Sequence, residues 1–372
     1  MATIGLEATR ANKKHKTGTE WYAWHLLQQF KELANLHNNK FIVYYNQPLD
    51  QELSSVAANF YFKQLNWPFR KFWTHYRLVW ELLWHPVDKF FASNAVPLFI
   101  RGEVILTVHD LGFLKNPELY HPLERIYQKI SHWLAIKRAN KIITISKTTK
   151  KDIIKYFPES KNKIKVIYLG YNQDEFKPTV KEDKQKIKNK YQLAEKFILY
   201  IGRLETKKNI QNLIKAYKLL LDKNYNLVLA GRPGNYGYDQ ILDLVKDHQD
   251  NIKILGYINQ VDYPKLLAAA DLFVFPSKFE GFGLPVLEAM ASGVPVACSD
   301  IPVLHEIADQ EVLFFNPDDS QDMAQKIQQL IEDKNLQSDL INKGLQKAHN
   351  FSWQKCAQQT LEYIDLPKPS EC

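Results

Sequence analysis

The sequence contains little cysteine: three residues among 372, Cys298, Cys356 and Cys372, none at a paired metal-ligand spacing. This scarcity argues against a disulfide framework and against a cysteine-based zinc site, and it favours a reducing compartment. The N-terminus also lacks a basic segment followed by an apolar one, and no apolar run approaches the length of a transmembrane helix. We therefore expect a cytoplasmic protein.

Charge is unevenly distributed along the chain. Residues 1–171 contain 25 Lys and Arg against 13 Asp and Glu, a balance of +12, whereas the remainder contains 24 against 28, a balance of −4. Seven of the eight tryptophans also lie in the first part. Two interpretations stand: the first part meets an acidic partner such as an anionic lipid surface, or it is an ordinary solvated basic surface.

The order of elements predicts two α/β domains, because strand-like apolar runs alternate with helical stretches in both halves. We predict a Rossmann-like domain over residues 1–175, a charged linker over 176–195, a second such domain over 196–350, and a terminal helix over 351–372 that crosses back to the first domain. The predicted strands are Thr3–Ala8, Lys40–Tyr45, Lys89–Ala92, Val104–His109, Lys141–Ser146, Lys165–Leu169, Phe197–Ile201, Asn226–Ala230, Ile252–Leu255, Leu272–Pro276, Val294–Cys298 and Val312–Phe315.

Pro68–Trp84 is rich in aromatic residues and is predicted to be helical. An apolar stripe would then contain Phe69, Phe72, Trp73, Tyr76, Trp80 and Leu83, with Arg70, Lys71 and Arg77 beside it. Aromatic residues flanked by cations suit a helix at a membrane interface. The alternative is a helix buried against the first sheet, and the two interpretations remain open.

Ser277–Pro295 carries the strongest functional pattern. It follows an apolar strand, turns through two glycines and enters a helix with Pro285 near the first position. A strand end, a glycine turn and a helix N-terminus direct N–H groups and the positive end of the helix dipole at one point, which predicts an anion site. A bound anion would repel the carboxylates of Glu280 and Glu288, so their presence is favourable only if they accept hydrogen bonds from hydroxyl groups of the same ligand. A diphosphate joined to a sugar or a ribose satisfies both requirements.

Other candidate residues follow predicted strands, where ligands of open parallel sheets bind. In the first half these are the basic loop Thr9–Gly18, which ends at a helix start, then His109-Asp110 and Ser146. In the second half they are the run GRLETKKN at 202–209, Gly231-Arg232 and Gly256-Tyr257.

Four motifs follow one another along the chain. They are the first loop ending in Gly18-Thr19, GRLETKKN, the two glutamates of EGFGLPVLE at 280–288, and ASGVPV at 291–296. On these motifs the chain resembles the retaining glycosyltransferases of family 4, whose GT-B fold has two facing Rossmann-like domains and an interdomain cleft. IGLEAT near the N-terminus and TVHDLGFLKNPELY at 107–120 most resemble mannosyltransferase-like members.

The resemblance implies a role for each matching residue. Arg203 and Lys208 resemble the pair that holds the nucleotide diphosphate, Glu280 the residue that holds the donor sugar, and Glu288 the residue that holds the ribose. Further donor contacts are expected from Gly18, Gly231, Arg232, Tyr257, Gly281, Phe282, Gly283 and Leu284. His109, Asp110 and Ser146 are expected on the acceptor side, and the expected catalytic residues are Glu280, His109, Arg203 and Lys208.

The implied reaction is metal-independent transfer of a hexose with retention, without a cofactor. The sequence contains no Asp-x-Asp pair to hold a divalent metal, and two fixed cations can neutralise the leaving group instead. GDP-mannose is the favoured donor and a saccharide or lipid-linked saccharide the acceptor, with possible peripheral contact to an anionic membrane. No nucleic-acid partner is expected.

Alternatives remain within and outside this class. A UDP-sugar-dependent transferase of the same family fits the same motifs, and a non-catalytic nucleotide-sugar-binding scaffold is the alternative outside enzymes. The paired glutamates argue against an epimerase or an inverting transferase. Two positions depart from the pattern: the first loop has one glycine where relatives often have more, and Lys147 follows Ser146 where an acid is common.

Overall fold

The computed structural model describes residues 1–34, 39–55, 59–69, 72–93, 96–97, 99–222, 224–234 and 236–367, without the side chain of Asp247. Within these ranges the chain forms two compact units. The first contains Met1–Lys115, Leu123–Gly170 and the chain from Trp353, and the second contains Asn116–Pro122 and Tyr171–Ser352.

The first unit is built on a seven-stranded parallel sheet. Its strands are β1 (Thr3–Glu7), β2 (Lys40–Tyr45), β3 (Phe60–Gln64), β4 (Lys89–Ala92), β5 (Glu103–Val108), β6 (Lys141–Thr144) and β7 (Ile164–Val166). They lie in the order β3-β2-β1-β4-β5-β6-β7, so the direction of winding reverses between β1 and β4. β5 is buried along its whole length, as expected for a strand covered on both faces. The edge strand β3 was not predicted from the sequence.

The second unit is built on a six-stranded parallel sheet. Its strands are β8 (Phe197–Ile201), β9 (Asn226–Ala230), β10 (Ile252–Gly256), β11 (Leu272–Phe275), β12 (Val296–Ser299) and β13 (Leu313–Phe315). The order β10-β9-β8-β11-β12-β13 places the reversal between β8 and β11. The prediction of two doubly wound parallel sheets is confirmed.

Helices connect the strands of both sheets. They are α1 (Gly18–Leu33), α2 (Gln51–Ser54), α3 (Arg77–Trp84), α4 (Gly112–Lys115), α5 (Pro122–Arg138), α6 (Lys147–Tyr156), α7 (Lys181–Lys190), α8 (Ile210–Leu219), α9 (Tyr238–Val245), α10 (Tyr263–Ala269), α11 (Leu284–Ala291), α12 (Pro302–Ile307), α13 (Ser320–Glu332), α14 (Lys334–Ala348) and α15 (Trp353–Asp365). No helix in the described ranges combines the length and the hydrophobicity needed to cross a bilayer.

The charged segment predicted as a linker is part of the second unit. It contains α7, which packs on α10, and Ile187 is buried. Lys190 and Tyr191 both bind the Asp262 carboxylate, at 2.6 Å and 2.8 Å. The sequence suggested a linker because one apolar residue in a charged helix is a weak signal of packing. Asn116–Pro122 also differs from the predicted boundaries, since it groups with the second unit.

The prediction of one helix over Pro68–Trp84 needs correction. Arg70 and Lys71 lie outside the described residues, and only α3 is helical. Phe72 has φ of 68°, in the left-handed region that a regular helix excludes. Trp73 is buried and its Nε1 donates to the Leu65 carbonyl at 2.8 Å. The other predicted stripe residues are exposed, so the stripe is not part of the core: Phe69, Phe72, Tyr76, Trp80 and Leu83.

The last helix, α15, packs on the first unit. Trp353 stacks on His25 of α1 with ring centroids 4.6 Å apart. Near its end, Asp365 accepts a hydrogen bond from Asn39 at 2.8 Å, and the buried Lys141 Nζ donates to the Ile364 carbonyl at 3.2 Å. A cation at the C-terminal end of a helix is favourable for the helix dipole.

Candidate active site

An ion pair joins the loops that follow β8 and β11, the two strands at the reversal of the second sheet. Lys208 Nζ lies 2.5 Å from Glu280 Oε1, and both side chains are largely shielded from solvent. Ligands of open parallel sheets bind at this reversal, outside the carboxyl ends of the strands. The structure thus brings together two residues predicted for the diphosphate and the sugar.

Glycines end the strands on one side of this reversal. Gly202 follows β8 and Gly231 follows β9, and a Cβ built on Gly231 would lie 1.7 Å from the Gly202 carbonyl oxygen. Gly231 N–H also donates to the Gly256 carbonyl at the end of β10, at 2.7 Å. Three strand ends therefore approach each other closely only because Gly231 has no side chain.

Arg203 is the more exposed of the two predicted diphosphate-binding cations. Its Nε lies 3.8 Å from Glu205 Oε2, and Lys207 Nζ lies 3.4 Å from Glu205 Oε1. Tyr200 is buried in β8, and its hydroxyl donates to the Arg203 carbonyl at 3.0 Å. Burial and the nearby Glu280 and Glu205 raise the pKa of Tyr200 well above its ordinary value, so this hydroxyl stays a donor.

Glu288 lies on α11 and is bound by a residue that the sequence did not indicate. Tyr263 of α10 donates from its hydroxyl to Glu288 Oε2. Burial raises the pKa of Glu288 to about 7, the Tyr263 hydrogen bond lowers it, and the charge of Glu175 raises it. Tyr263 lies in a predicted helix 25 positions before Glu288, and no motif marks the contact.

The turn between β11 and α11 has the geometry expected of a strand-to-helix anion site. Gly283, the residue before α11, has φ of 111°, and Pro285 occupies the first turn of the helix. Phe282 is buried and contacts Phe351 edge-on, with centroids 6.1 Å apart. A buried aromatic side chain fixes the turn, while Gly283 allows its backbone conformation. Gly281 and Leu284 flank these residues.

Arg232 and Tyr257, predicted to border the nucleotide base, contact each other. The Arg232 guanidinium lies 4.4 Å from the centroid of the Tyr257 ring, and both side chains are exposed. They follow β9 and β10, one and two strands from the Lys208–Glu280 pair. A cation over an aromatic face forms a flat surface on which a base can stack.

His109 follows β5 in the first unit and is buried. Its Nε2 lies 2.9 Å from the Ser93 carbonyl, and Tyr22 packs edge-on against its ring at 4.9 Å. Burial lowers the pKa of His109 to about 4, although the Ser93 carbonyl and Asp110 act in the opposite direction. The side chain is therefore neutral at physiological pH.

Asp110 and Ser146 take part in local structure. Asp110 Oδ1 accepts from the Gly112 N–H at 2.9 Å, closing a turn. Ser146 is fully buried at the start of α6, where its Oγ accepts from the Thr149 N–H at 3.0 Å and donates to Thr149 Oγ1 at 2.9 Å. These contacts explain both residue types, and the acceptor-side roles of both stay predictions.

Gly18 is the first residue of α1 and is exposed. Thr17 and Glu20 form a capping box at this helix start, a pattern that stabilises the N-terminus. Glu20 also pairs with Lys13 at 2.7 Å and with Arg10 at 3.8 Å, so the basic loop is partly neutralised within the unit. Across the described ranges, no group of three or more His, Cys, Asp and Glu residues has the spacing of a metal site.

Two family models together cover the candidate residues. A model described as Glycosyltransferase Family 4 matches residues 17–175, and one described as Glycosyl transferases group 1 matches residues 181–347.

Curated relatives and solved structures agree with these matches. The chain is 36% identical over 269 residues to the O-antigen chain mannosyltransferase B of Escherichia coli, covering 70% of each chain. It is 31% identical over 242 residues to the O-antigen chain mannosyltransferase RfbU of Salmonella typhimurium, covering 64% of this chain and 63% of that one. The Anabaena Alr3699/HepE structure in complex with UDP and glucose aligns with a TM-score of 0.78 at 20% identity, over 98% of this chain and 99% of that chain. This last likeness shows a shared fold.

Proposed function

The chain belongs to glycosyltransferase family 4, and from that premise we propose that it transfers mannose from GDP-mannose to a saccharide or lipid-linked saccharide in glycan biosynthesis. The observation that carries the proposal is the Lys208–Glu280 pair at the reversal of the second sheet, with Glu288 on the helix that follows Glu280. One cation and two carboxylates match the three parts of such a donor: diphosphate, hexose and ribose. Mannose is favoured because two relatives are mannosyltransferases.

The ion pair suggests how donor binding prepares the reaction. Glu280 neutralises Lys208 in the pair described above. When a diphosphate binds, its oxygens replace the carboxylate as the partner of Lys208, and Glu280 becomes available to the sugar hydroxyls. Arg203, which is more exposed, adds a second cation.

We propose that transfer retains the anomeric configuration. The acceptor oxygen bonds to the anomeric carbon on the face from which the diphosphate leaves, and a leaving phosphate oxygen takes the acceptor proton. Arg203 and Lys208 stabilise the negative charge that develops on the leaving group, so the step needs no divalent metal. Most of the rate enhancement then comes from positioning and charge stabilisation.

The other candidate residues are proposed to act around this centre. The backbone of 281–284 contacts the donor diphosphate or sugar, and Gly231, Arg232 and Tyr257 contact the base. His109, Asp110 and Ser146 stay predicted acceptor-side residues, and Gly18 a predicted donor contact.

A UDP-sugar is the second candidate donor, because Alr3699/HepE is a structural neighbour whose complex contains UDP and glucose. Thermal shift with a panel of nucleotide sugars discriminates the two, since a ligand that binds only the folded state raises the unfolding temperature. We expect GDP-mannose to give the largest shift and to support transfer. If UDP-glucose stabilises the protein and GDP-mannose does not, mannose transfer is excluded.

We also propose that the enzyme works in the cytoplasm, as a peripheral protein at an anionic membrane surface. The support is the balance of +12 over residues 1–171 and the exposed aromatic side chains of the first unit. Basic residues near an anionic leaflet are attracted to it over about a Debye length, ~8 Å at physiological salt.

A further inference from the structure

Helix α5 of the first unit exposes an apolar face. Large side chains at positions 123, 126, 127, 130 and 133 share one side of the helix, because spacings of three and four residues bring side chains together. Their exposed fractions are Leu123 72%, Ile126 57%, Tyr127 65%, Ile130 56% and Trp133 45%. This α5 face runs along about 15 Å of the helix axis, at roughly 1.5 Å per residue.

This exposure is unusual for a helix that connects strands of a parallel sheet. Such helices turn their apolar side to the sheet. The buried residues of α5 are Ala135 and Ile136, both near its C-terminal end. By contrast, α8 in the second unit buries Ile210, Leu213, Ile214, Ala216 and Tyr217. The large apolar residues of α5 are therefore directed at something other than the core of the first unit.

Basic residues border the α5 face. At 3.6 residues per turn Lys129 lies at the edge of this face, and the exposed Lys137 and Arg138 continue it at the C-terminal end of the helix, whereas Arg125 lies on the side of the buried Ile136. Lys137 Nζ is 4.2 Å from the centroid of the Trp133 ring. The helix contains one acid, Glu124, and none of its four basic residues lies within ion-pair distance of an acid in the described ranges.

The other exposed aromatic surface, around α3, differs in its charges. Two of its cations, Arg77 and Lys63, pair with the buried Glu81, Arg77 at 3.6 Å, while Arg70 and Lys71 lie outside the described residues. His85 also contacts this carboxylate, at 2.9 Å. Cations that are already paired contribute less to the binding of another anion, so α3 is the weaker candidate.

We propose that the α5 face is the surface with which the protein binds an anionic lipid bilayer, with the helix axis parallel to the membrane plane. An interfacial helix buries its apolar side at the boundary of headgroups and acyl chains and places its basic residues against lipid phosphates. Tyr127 and Trp133 have the amphipathic rings that are enriched at this depth. The inference rests on the membrane role in the proposed function and assigns it to one helix.

Charge favours a bilayer over a second copy of this chain. Two α5 faces in contact would bring together the basic residues beside this face in each copy, with one acid from each, and like charges at an interface are unfavourable. An anionic bilayer offers both an apolar layer and negative charge.

Flotation of the full chain with vesicles tests the assignment. The vesicles contain equal amounts of phosphatidylglycerol and phosphatidylcholine, or phosphatidylcholine alone. Ile126→Ser/Ile130→Ser removes apolar side chains from the α5 face, and Lys129→Gln/Lys137→Gln removes charge beside it. The matched control, Trp80→Ser/Trp84→Ser, removes exposed aromatic residues from α3. Donor hydrolysis without vesicles is measured for each protein.

The wild type is expected to bind the anionic vesicles, less tightly at high salt. The charge variant should bind roughly 30-fold more weakly, since each basic residue near an anionic surface contributes about fivefold. The apolar variant should lose at least about tenfold, from the burial of aliphatic carbons. The α3 control should stay within about twofold, because the two cations described beside it, Arg77 and Lys63, are already paired.

Several outcomes overturn the assignment: no binding by the wild type, wild-type binding by both α5 variants, or loss of binding in the α3 control alone. A dimer in light scattering that the α5 variants disrupt would instead identify a second copy as the occupant. Donor hydrolysis should be unchanged in the α5 variants. A wild-type protein that binds vesicles but hydrolyses and transfers no nucleotide sugar would contradict the proposed function and leave the α5 surface standing.

Discussion

The two units use the carboxyl edges of their parallel sheets differently. In the second unit the polar residues at this edge form pairs that a ligand can enter, as with Lys208 and Glu280. In the first unit the polar residues at the corresponding edge make hydrogen bonds that stabilise local structure. Ser146 is buried as a helix cap, and His109 is buried against a backbone carbonyl. The exposed chemistry of the first unit lies on its helices instead. The comparison suggests that donor binding depends on a few strand-end residues of the second unit, whereas the first unit mainly supplies shape and surface.

The largest expected effect tests the part of this comparison that concerns the second unit. Lys208→Ala and Glu280→Ala should each lower kcat/KM by roughly 10²–10³-fold, because each removes preorganised charge at the reacting centre. Steady-state transfer kinetics measure the loss. The matched control is Lys278→Ala, two residues before Glu280, whose Nζ pairs with Asp318 at 2.6 Å. Wild-type rates in both site variants would refute the site assignment.

The close approach of strand ends in the second unit gives the next largest effect. Gly231→Ala places a Cβ 1.7 Å from the Gly202 carbonyl oxygen, which we expect to cost more than about 3 kcal/mol. Gly256→Ala is the control: its φ of 69° is strained for alanine, but no atom lies within 4 Å, so about 1 kcal/mol is expected.

The readout for these glycine variants exploits the tryptophans. All eight lie in the first unit, so their fluorescence does not report the second. The loss of stability in Gly231→Ala should therefore appear in the denaturation transition measured by circular dichroism. The transition measured by tryptophan fluorescence should be unchanged. Equal losses for both glycines would mean that the strand ends tolerate a side chain.

Much of the second unit was predictable because its function is encoded in contiguous runs. GRLETKKN and EGFGLPVLE each hold several candidate residues within nine positions or fewer, the second running from a loop into α11, and the strands before them are short and apolar. The Tyr263–Glu288 contact was not predictable, since it joins two helices and nothing in the sequence near Tyr263 marks its partner.

The first unit was predicted less well for a physical reason. Aromatic residues at helical spacing in 68–84 indicate a helix, but this spacing gives no sign of the left-handed φ of 68° at Phe72, which directly precedes the buried Trp73. Likewise, the spacing in α5 indicates an amphipathic helix without showing which side meets the core. Periodicity identifies a face, and only packing shows what covers it.

The buried His109 should make the first unit more sensitive to acid than its packing alone implies. Its pKa is about 4 in the folded protein, against an ordinary value of 6.5. The unfolded chain therefore binds a proton between these values that the folded protein does not, and stability falls as the pH decreases through this window. The contribution is about 2 kcal/mol between pH 7 and pH 5.

His109→Gln should remove the His109 contribution from the pH dependence of the tryptophan-detected transition, whereas His25, His75 and His132, whose pKa values burial also lowers, contribute in both proteins. Glu7, with a pKa raised by burial, acts in the opposite direction in both proteins, so the difference between wild type and variant isolates His109. His305→Gln in the second unit is the control and should leave the tryptophan transition unaffected. Parallel pH profiles for wild type and His109→Gln would show that His109 is accessible to protons in the folded state.

The smallest expected effect tests whether the hydrogen bond from Tyr263 controls the pKa of Glu288. In its proposed ribose-binding role, Glu288 can accept hydrogen bonds from both ribose hydroxyls only when it is ionised, so donor affinity should fall as the pH drops below about 7. Tyr263→Phe removes the hydrogen bond that lowers this pKa, so the fall should begin at higher pH. At pH 7 we expect KM for the donor to rise roughly tenfold with little change in kcat, as for a lost hydrogen bond to a charged group.

Tyr191→Phe is the matched control, because Tyr191 donates to Asp262, next to Tyr263, at 2.8 Å. If calorimetric titration with GDP gives the same pH profile for wild type and both variants, Tyr263 only supports the packing of α10 on α11, and the ribose-binding role of Glu288 loses its physical basis.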